Sequence, residues 1–195
     1  MIQNELTILI PTFKRPNHLE RLLDCFQAFT SINNLSICIL DSSPKEFETQ
    51  YNEIFNKFKK NLNLSYHHYR EDTIFNKKLF LGLEHVITPY LVIAPDDDML
   101  NPNAVVECLE HLKKNDDATN VTGETLKIEK NKNNKFVTYY VSNKVANQDN
   151  PIDRGWHTSL YSSLARITLN NVWRKNDLYN AIEPISKNPF RKYTE

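Results

Sequence analysis

The stretch Tyr90-Leu91-Val92-Ile93-Ala94-Pro95-Asp96-Asp97-Asp98 decides the fold, because a strand that is apolar throughout ends there in three carboxylates. Such a strand is typical of a parallel sheet with helices on both faces. Three adjacent carboxylates repel one another, so their grouping favours a bound cation, and oxygen ligands of this kind select Mg²⁺ or Mn²⁺. The alternative is a solvated acidic loop, in which Asp98 or a neighbour caps the helix that begins near Pro102.

Three more strand–helix units precede this stretch. Short apolar runs rich in β-branched residues predict the strands, and apolar residues at three- and four-residue spacing predict an amphipathic helix after each strand. The four predicted strands are residues 6–10, 35–40, 62–69 and 90–94. We therefore predict an α/β fold in which a mostly parallel sheet carries helices on both faces. Ligands of such sheets bind beyond the carboxyl ends of the strands.

The pattern changes after residue 115. Residues 119–128 and 135–141 are predicted to form an antiparallel pair of strands, and residues 171–182 are predicted to form a helix. We therefore expect a single domain with two halves, 1–115 and 116–195, of which the second contains a small antiparallel part.

The composition indicates which partners and which cellular compartment to expect. Because 24 basic residues balance 24 acidic ones, no overall field favours nucleic acid, and no nucleic-acid partner is expected. The three cysteines are scattered and odd in number, which favours a reducing cytoplasm over a disulfide framework. No apolar run approaches the roughly 20 residues of a membrane span, so we expect no transmembrane segment and leave peripheral membrane contact open. Only three glycines occur, which argues against a glycine-rich phosphate loop.

Two further groups of polar residues follow predicted strands. Asp41 ends the second strand, where its carboxylate could accept hydrogen bonds from a nucleobase or ribose; the alternative is an Asx-turn with the serines that follow it. Phe13, Lys14 and Arg15 follow the first strand. The ring could stack on a base and the cations could meet phosphate, whereas the alternative is a helix-entry loop with solvated charges.

Lys77 and Lys78 begin the helix that precedes the acidic stretch. At a helix N-terminus the free backbone N–H groups favour anions, so these two lysines are candidates for a diphosphate contact. The alternative is a solvated pair of surface charges.

Three motifs, taken together, resemble the family 2 glycosyltransferases of GT-A fold. The first runs from Ile8 to Pro16 and continues into an amphipathic helix, with Lys14 where the family more often has Asn. The second is Ile39-Leu40-Asp41-Ser42-Ser43, and the third runs from Ala94 to Pro102 and contains an Asp-x-Asp pattern. The three motifs occur in the family's order and cover about the first 115 residues.

The resemblance implies a nucleotide-diphosphate sugar as donor and Mg²⁺ or Mn²⁺ as cofactor. It places Thr12 and Phe13 at the base, Asp41 on the base itself, and Asp98 on the metal with Asp96. Residues 1–115 would then bind the nucleotide sugar, and residues 116–195 would form the acceptor side. The complete set that it assigns to the nucleotide is Pro11, Thr12, Phe13, Arg15, Asp41, Lys77, Lys78, Asp96 and Asp97.

The implied activity is metal-dependent transfer of a sugar to a glycan or lipid-linked acceptor. An inverting member needs a carboxylate as general base, and the candidates are Glu124, Glu183 and Glu195. None lies in a clear motif, and the chain stops at Glu195, so we leave open an incomplete acceptor half. The alternatives are a non-catalytic or truncated nucleotide-sugar-binding domain and a nucleotidyltransferase. Residues 11–16 contain no glycine, which disfavours the nucleotidyltransferase.

Overall fold

The computed structural model of the chain describes residues 5–29, 35–71, 73–123, 125–141 and 169–187. The strands are β1 (Leu6–Thr12), β2 (Ser36–Asp41), β3 (Asn63–His68), β4 (Tyr90–Ile93), β5 (Asn120–Thr122), β6 (Thr125–Lys130), β7 (Phe136–Val141) and β8 (Asn171–Arg174). The helices are α1 (Pro16–Ala28), α2 (Glu48–Phe58), α3 (Phe75–Leu83), α4 (Pro102–Lys114) and α5 (Lys175–Lys187), with a 3₁₀ turn at Lys45–Phe47 before α2.

The main sheet has six strands in the order β3-β2-β1-β4-β8-β5. The first four run parallel, as predicted from their apolar sequences, whereas β8 pairs antiparallel with both β4 and β5. Strands β6 and β7 form a separate antiparallel pair. The predicted α/β class, with a mostly parallel sheet and a small antiparallel part, is therefore confirmed.

Each face of the sheet carries its own apolar core. On β1, Ile8 and Ile10 face the core formed with α1, α2 and α4, and Leu9 faces the core formed with α3 and α5. This division follows from the alternation of side chains along a strand. Because both faces are covered, only the edges and the strand ends remain open to ligands.

Pro11 does not end the first strand, although a stop at this proline was predicted. Strand β1 continues to Thr12 and pairs with β2 as far as Asp41. The pairing with β4 stops earlier, at Leu9 and Ile93. The carbonyl of Leu9 accepts from Ala94 on the β4 side, so Pro11, two residues later, faces that same side. Its missing N–H therefore removes no ladder hydrogen bond.

The predicted helix over residues 171–182 is wrong in its first four residues. These residues form β8, and α5 begins only at Lys175. Val172 and Trp173 are buried between β4 and β5, so pairing with two strands outweighs the local helical pattern. The single strand predicted over 119–128 is likewise two strands, β5 and β6, and only the second pairs with β7.

Among the residues that the structure describes, none of the helices has both the length and the hydropathy to cross a membrane.

Gly82 is the position where α3 approaches the sheet most closely. A Cβ added here would lie 2.2 Å from Cδ1 of Leu40 and 3.0 Å from its Cδ2, and Leu40 is fully buried in β2. Alanine would favour the helix by about 1 kcal/mol, but overpacking of this kind costs about 1–3 kcal/mol. We expect Gly82→Ala to lower the free energy of unfolding by about 1 kcal/mol in a urea titration.

The same change in a Leu40→Ala background is the matched control, because the clash is then absent. There Gly82→Ala should cost nothing or stabilise the protein. A single Gly82→Ala variant more stable than the wild type would contradict the close contact.

Candidate functional site

The site lies at the carboxyl edge of the sheet, where the ends of β1, β2 and β4 meet. The hydroxyl of Thr12, at the end of β1, donates to Oδ2 of Asp96 over 2.7 Å and lies 3.0 Å from the hydroxyl of Tyr51. The Tyr51 hydroxyl is also within 3.4 Å of the Ser43 hydroxyl. A chain of polar contacts therefore joins the acidic stretch to the end of β2, with three hydroxyl protons for its four links.

Asp41 lies at the far end of this chain and is buried, with 1% of its surface exposed. Its Oδ1 accepts from the backbone N–H of Ser43 over 2.8 Å and from the Ser43 hydroxyl over 2.5 Å. Its Oδ2 accepts from the Tyr66 hydroxyl over 2.7 Å. The Asx-turn considered from the sequence is thus present. Burial and the neighbouring Asp41 carboxylate raise the pKa of Tyr66, which keeps that hydroxyl a donor.

Lys78 is buried beneath the strand ends, whereas the adjacent Lys77 is exposed. The Lys78 ammonium donates to the carbonyl of Thr12 over 2.7 Å and to the hydroxyl of Ser42 over 3.0 Å. It therefore ties the end of β1 to the end of β2. The structure brings Lys78 into the predicted group and leaves Lys77 on the surface.

Asp96 and Asp97 share the guanidinium of Arg15. Nη1 of Arg15 donates to Oδ2 of Asp97 over 2.8 Å, and Nη2 lies 2.8 Å from Oδ1 of Asp96. The second contact is an ion pair without hydrogen-bond geometry, so Oδ1 of Asp96 has no hydrogen-bond donor. Burial raises the pKa of Asp96, although Thr12 and Arg15 partly oppose that effect.

The loop between β1 and α1 takes a sharp turn at Lys14, whose φ is 56°. This left-handed conformation is uncommon for residues with a branched or long side chain and better tolerated by Asn, which is the residue more usual here in the family that the motifs resemble. The turn leaves Phe13 39% exposed, next to the buried Pro11 and Thr12. Phe13 is thus an accessible ring directly after Thr12, whose hydroxyl binds Asp96.

The described residues contain one set of side chains whose ligand atoms could hold a metal ion. It consists of His18, Asp96 and Asp97, and their ligand atoms lie within 4.8 Å of one another. Two carboxylates and one imidazole, with a buried Oδ1 of Asp96 that lacks a donor, fit a divalent cation such as Mg²⁺ or Mn²⁺. Asp98 is not in this set: its Oδ2 accepts from the side chain of Asn170 over 3.0 Å.

A family model described as glycosyl transferase family 2 matches residues 7–176. The chain belongs to glycosyl transferase family 2. The match extends well beyond the 115 residues in which the motifs lie. No curated protein matches the sequence.

Solved structures show that this family 2 chain has a GT-A-like fold. Staphylococcus aureus TarS 1–349 matches with a TM-score of 0.61 and 15% identity, over 91% of this chain and 49% of TarS 1–349. The mannosyltransferase PcManGT of Pyrobaculum calidifontis matches with a TM-score of 0.52 and 16% identity, over 60% of this chain and 34% of the mannosyltransferase. The chain thus spans half or less of the length of these glycosyltransferases.

A nucleotidyltransferase-type enzyme shares the same architecture. It is the 4-diphosphocytidyl-2C-methyl-D-erythritol synthase of Anaerococcus prevotii, which matches with a TM-score of 0.58 and 12% identity, over 98% of this chain and 81% of the synthase. At this identity the likeness concerns the fold alone. A nucleotidyltransferase was one of the alternatives considered from the sequence, and the match shows that such an enzyme can share this fold.

Two tyrosines of this family 2 chain were missed as members of the site. Neither Tyr51 nor Tyr66 is among the site residues predicted from the sequence, yet their hydroxyls contact Thr12, Ser43 and Asp41. The available signal was a tyrosine at a core position, because a buried hydroxyl must find a partner.

Of the three carboxylates proposed as general base, Glu183 alone lies within the described residues. Glu183 lies on α5, where its carboxylate binds the Lys187 ammonium over 2.7 Å. Glu124 and Glu195 lie outside the described residues, as does His157, whose role was left open.

Burial lowers the pKa of Lys78 to about 8 from 10.5, although Asp41 and Asp96 oppose the shift. Between these two values the unfolded chain holds a proton that the folded protein has released, so the contribution of Lys78 to stability rises with pH. We expect the difference in unfolding free energy between wild type and Lys78→Met to increase by up to about 3 kcal/mol from pH 7.5 to pH 10.5. Urea titrations at several pH values measure it.

Lys77→Met is the matched control, since it removes the neighbouring lysine from an exposed position. A difference between wild type and Lys78→Met that stays constant over this pH range would show that Lys78 titrates as it does in the unfolded chain.

Proposed function

We propose that this chain belongs to a metal-dependent glycosyltransferase, which transfers a sugar from a nucleotide-diphosphate donor to a glycan or lipid-linked acceptor. The observation that carries the proposal is the Asp96–Thr12–Tyr51–Ser43–Asp41 chain at the carboxyl edge of the sheet. It joins all three motifs of the family into one group. In this proposal residues 1–115 bind the donor and residues 116–195 form the acceptor side.

The residues around this chain divide into groups suited to the parts of a nucleotide sugar. The exposed ring of Phe13 can stack on the base, and Asp41 lies at the end of β2 where a base or ribose would be recognised. Arg15 can provide a bidentate cationic contact for the diphosphate. Lys78 adds a second positive charge beneath the same loops.

The cation would be held by Asp96, with Asp97 and His18 next to it and Asp98 as the further ligand expected from the Asp-x-Asp motif. When bound, it would stabilise the negative charge of the departing nucleotide diphosphate. The support is the donor set of the site and the mannosyltransferase of the same fold, whose structure is a complex with GDP-Man and Mn²⁺.

The reaction itself needs one bond to form and one to break. The oxygen of an acceptor hydroxyl attacks the anomeric carbon, the bond from that carbon to the diphosphate oxygen breaks, and the hydroxyl proton passes to a general base. Glu124, Glu183 and Glu195 remain the candidates for that base. We further propose that the enzyme works in the cytoplasm, in keeping with the free thiols of Cys25, Cys38 and Cys108.

Calorimetry with UDP and GDP, with and without Mn²⁺, tests donor binding, and assays of sugar transfer and donor hydrolysis test turnover. Mn²⁺-enhanced binding of a nucleotide diphosphate together with turnover is expected. Binding without either reaction, across a panel of acceptors, would favour a non-catalytic nucleotide-sugar-binding domain. Absence of binding to both nucleotides would refute the proposal.

Asp98→Ala is expected to weaken nucleotide binding in the presence of Mn²⁺ by about tenfold or more, and to leave binding without Mn²⁺ unchanged. The reason is that a metal ligand contributes only when the metal is present. Asn170→Ala is the matched control, because it removes the hydrogen bond to Asp98 and keeps the carboxylate. Unchanged Mn²⁺-dependent affinity in Asp98→Ala would leave His18, Asp96 and Asp97 as the ligand set.

Asp41→Ala is expected to weaken binding of the free nucleotide even without metal, by about tenfold, because it removes the acceptor at the end of β2. Tyr66→Phe serves as the control: it deletes one donor to Asp41 but retains the carboxylate. If the two variants bind nucleotide equally well and as tightly as the wild type, Asp41 has only the structural role of an Asx-turn.

A further inference from the structure

Arg15 occupies the space between the two carboxylates that would hold a cation. Its guanidinium nitrogens lie 2.8 Å from Oδ1 of Asp96 and 2.8 Å from Oδ2 of Asp97. The side chain of Asp96 is completely buried, and its Oδ1 has no hydrogen-bond donor. Among the described residues, the Arg15 guanidinium is therefore the cation that forms ion pairs with both carboxylates.

The backbone of Arg15 is held by hydrogen bonds, whereas its side chain is partly exposed to solvent. The Arg15 N–H donates to the Tyr51 hydroxyl over 3.1 Å, and its carbonyl accepts from the N–H of His18 over 3.0 Å. The side chain is 44% exposed, so the guanidinium can leave the carboxylates for water or for a ligand without a large loss of burial.

The charges of the site favour such an exchange. Asp41, Asp96, Asp97 and Asp98 contribute four negative charges, and Arg15 and Lys78 two positive ones, which leaves a formal charge of −2. A divalent cation would neutralise this charge, so that Arg15 would no longer be needed as the counterion of the carboxylates. Two cations cannot both sit between Asp96 and Asp97, because the guanidinium and the metal would repel each other there.

We propose that Arg15 is a built-in counterion, which neutralises Asp96 and Asp97 in the absence of a divalent cation and turns to the nucleotide diphosphate when one binds. This inference rests on the proposed function and gives Arg15 two successive partners. It pairs with the two carboxylates before a divalent cation is bound, and it is available to the phosphates afterwards. His18, in the first turn of α1, would hold the cation together with Asp96 and Asp97.

The experiment measures the affinity for Mn²⁺ alone, from the electron paramagnetic resonance signal of the free ion, in wild type, Arg15→Gln and Arg15→Lys. Arg15→Gln should bind Mn²⁺ about tenfold more tightly than the wild type, because two partly exposed ion pairs no longer compete. Arg15→Lys, which keeps the charge but cannot span both carboxylates, should lie between the two. If Arg15→Gln does not fold, Arg15→Lys alone still has to show tightened binding.

Lys57→Gln is the control for net charge, because Lys57 pairs with Glu20 and Asp24 on the outer surface of α1 and α2. It should leave Mn²⁺ affinity unchanged. In a second titration, with saturating Mn²⁺, Arg15→Gln should bind UDP and GDP less tightly than the wild type. The two effects of one substitution thus have opposite signs, which a purely structural role of Arg15 would not produce.

Equal or weaker Mn²⁺ binding by Arg15→Gln would overturn the counterion role, and weaker binding would mean that Arg15 organises the carboxylates for the metal. That result is distinct from failure of the proposed function, which would appear as a wild type that binds neither UDP nor GDP with Mn²⁺. Tightened Mn²⁺ binding with unaltered nucleotide affinity would overturn the second half of the proposal, the turn of Arg15 to the diphosphate.

Discussion

The carboxyl edge of this protein depends on two opposite charges that are buried together, the Lys78 ammonium and the Asp96 carboxylate. Removing each from water is costly, and each has polar partners that offset part of that cost. Lys78 donates to the carbonyl of Thr12 and the hydroxyl of Ser42. Asp96 accepts from the hydroxyl of Thr12 through Oδ2, and its Oδ1 forms an ion pair with Arg15. Thr12 is the shared partner. Its backbone and side chain hold one charge each, so the end of β1 links the other two strand ends.

The buried part of this edge and its outer rim differ in how firmly their side chains are held. The buried chain through Tyr51, Ser43 and Asp41 has nearly all of its polar groups paired, which favours a single geometry. Asp97 and the Arg15 guanidinium lie at its outer rim and are about half exposed. A ligand would thus contact buried side chains with fixed positions and exposed ones, Asp97 and Arg15, that can move. We expect this combination in a site that binds first a cation and then an anion.

Two lysines, Lys14 and Lys78, have structural contacts of their own at this edge. Lys14 adopts the left-handed backbone conformation that suits Asn. The hydrogen bond from its N–H to the hydroxyl of Ser43, over 2.7 Å, stabilises this conformation. Lys78, a candidate for the diphosphate contact, donates instead to Thr12 and Ser42 of the protein itself. The diphosphate contact is therefore better placed on the exposed Arg15 than on the buried Lys78.

The sequence by itself determined the four parallel strands, the helices that follow them and the meeting of Thr12, Asp41 and Asp96, because strand periodicity and the strand-end rule are local or topological. Only the tertiary structure decided that residues 171–174 form a strand, since that depends on two partner strands, β4 and β5, that lie far away in the sequence. It also decided that Lys78 is buried, that Asp98 turns to Asn170 and that His18 joins Asp96 and Asp97. The direction of a side chain at a strand end is set by its neighbours in space, and no pattern along the chain records them.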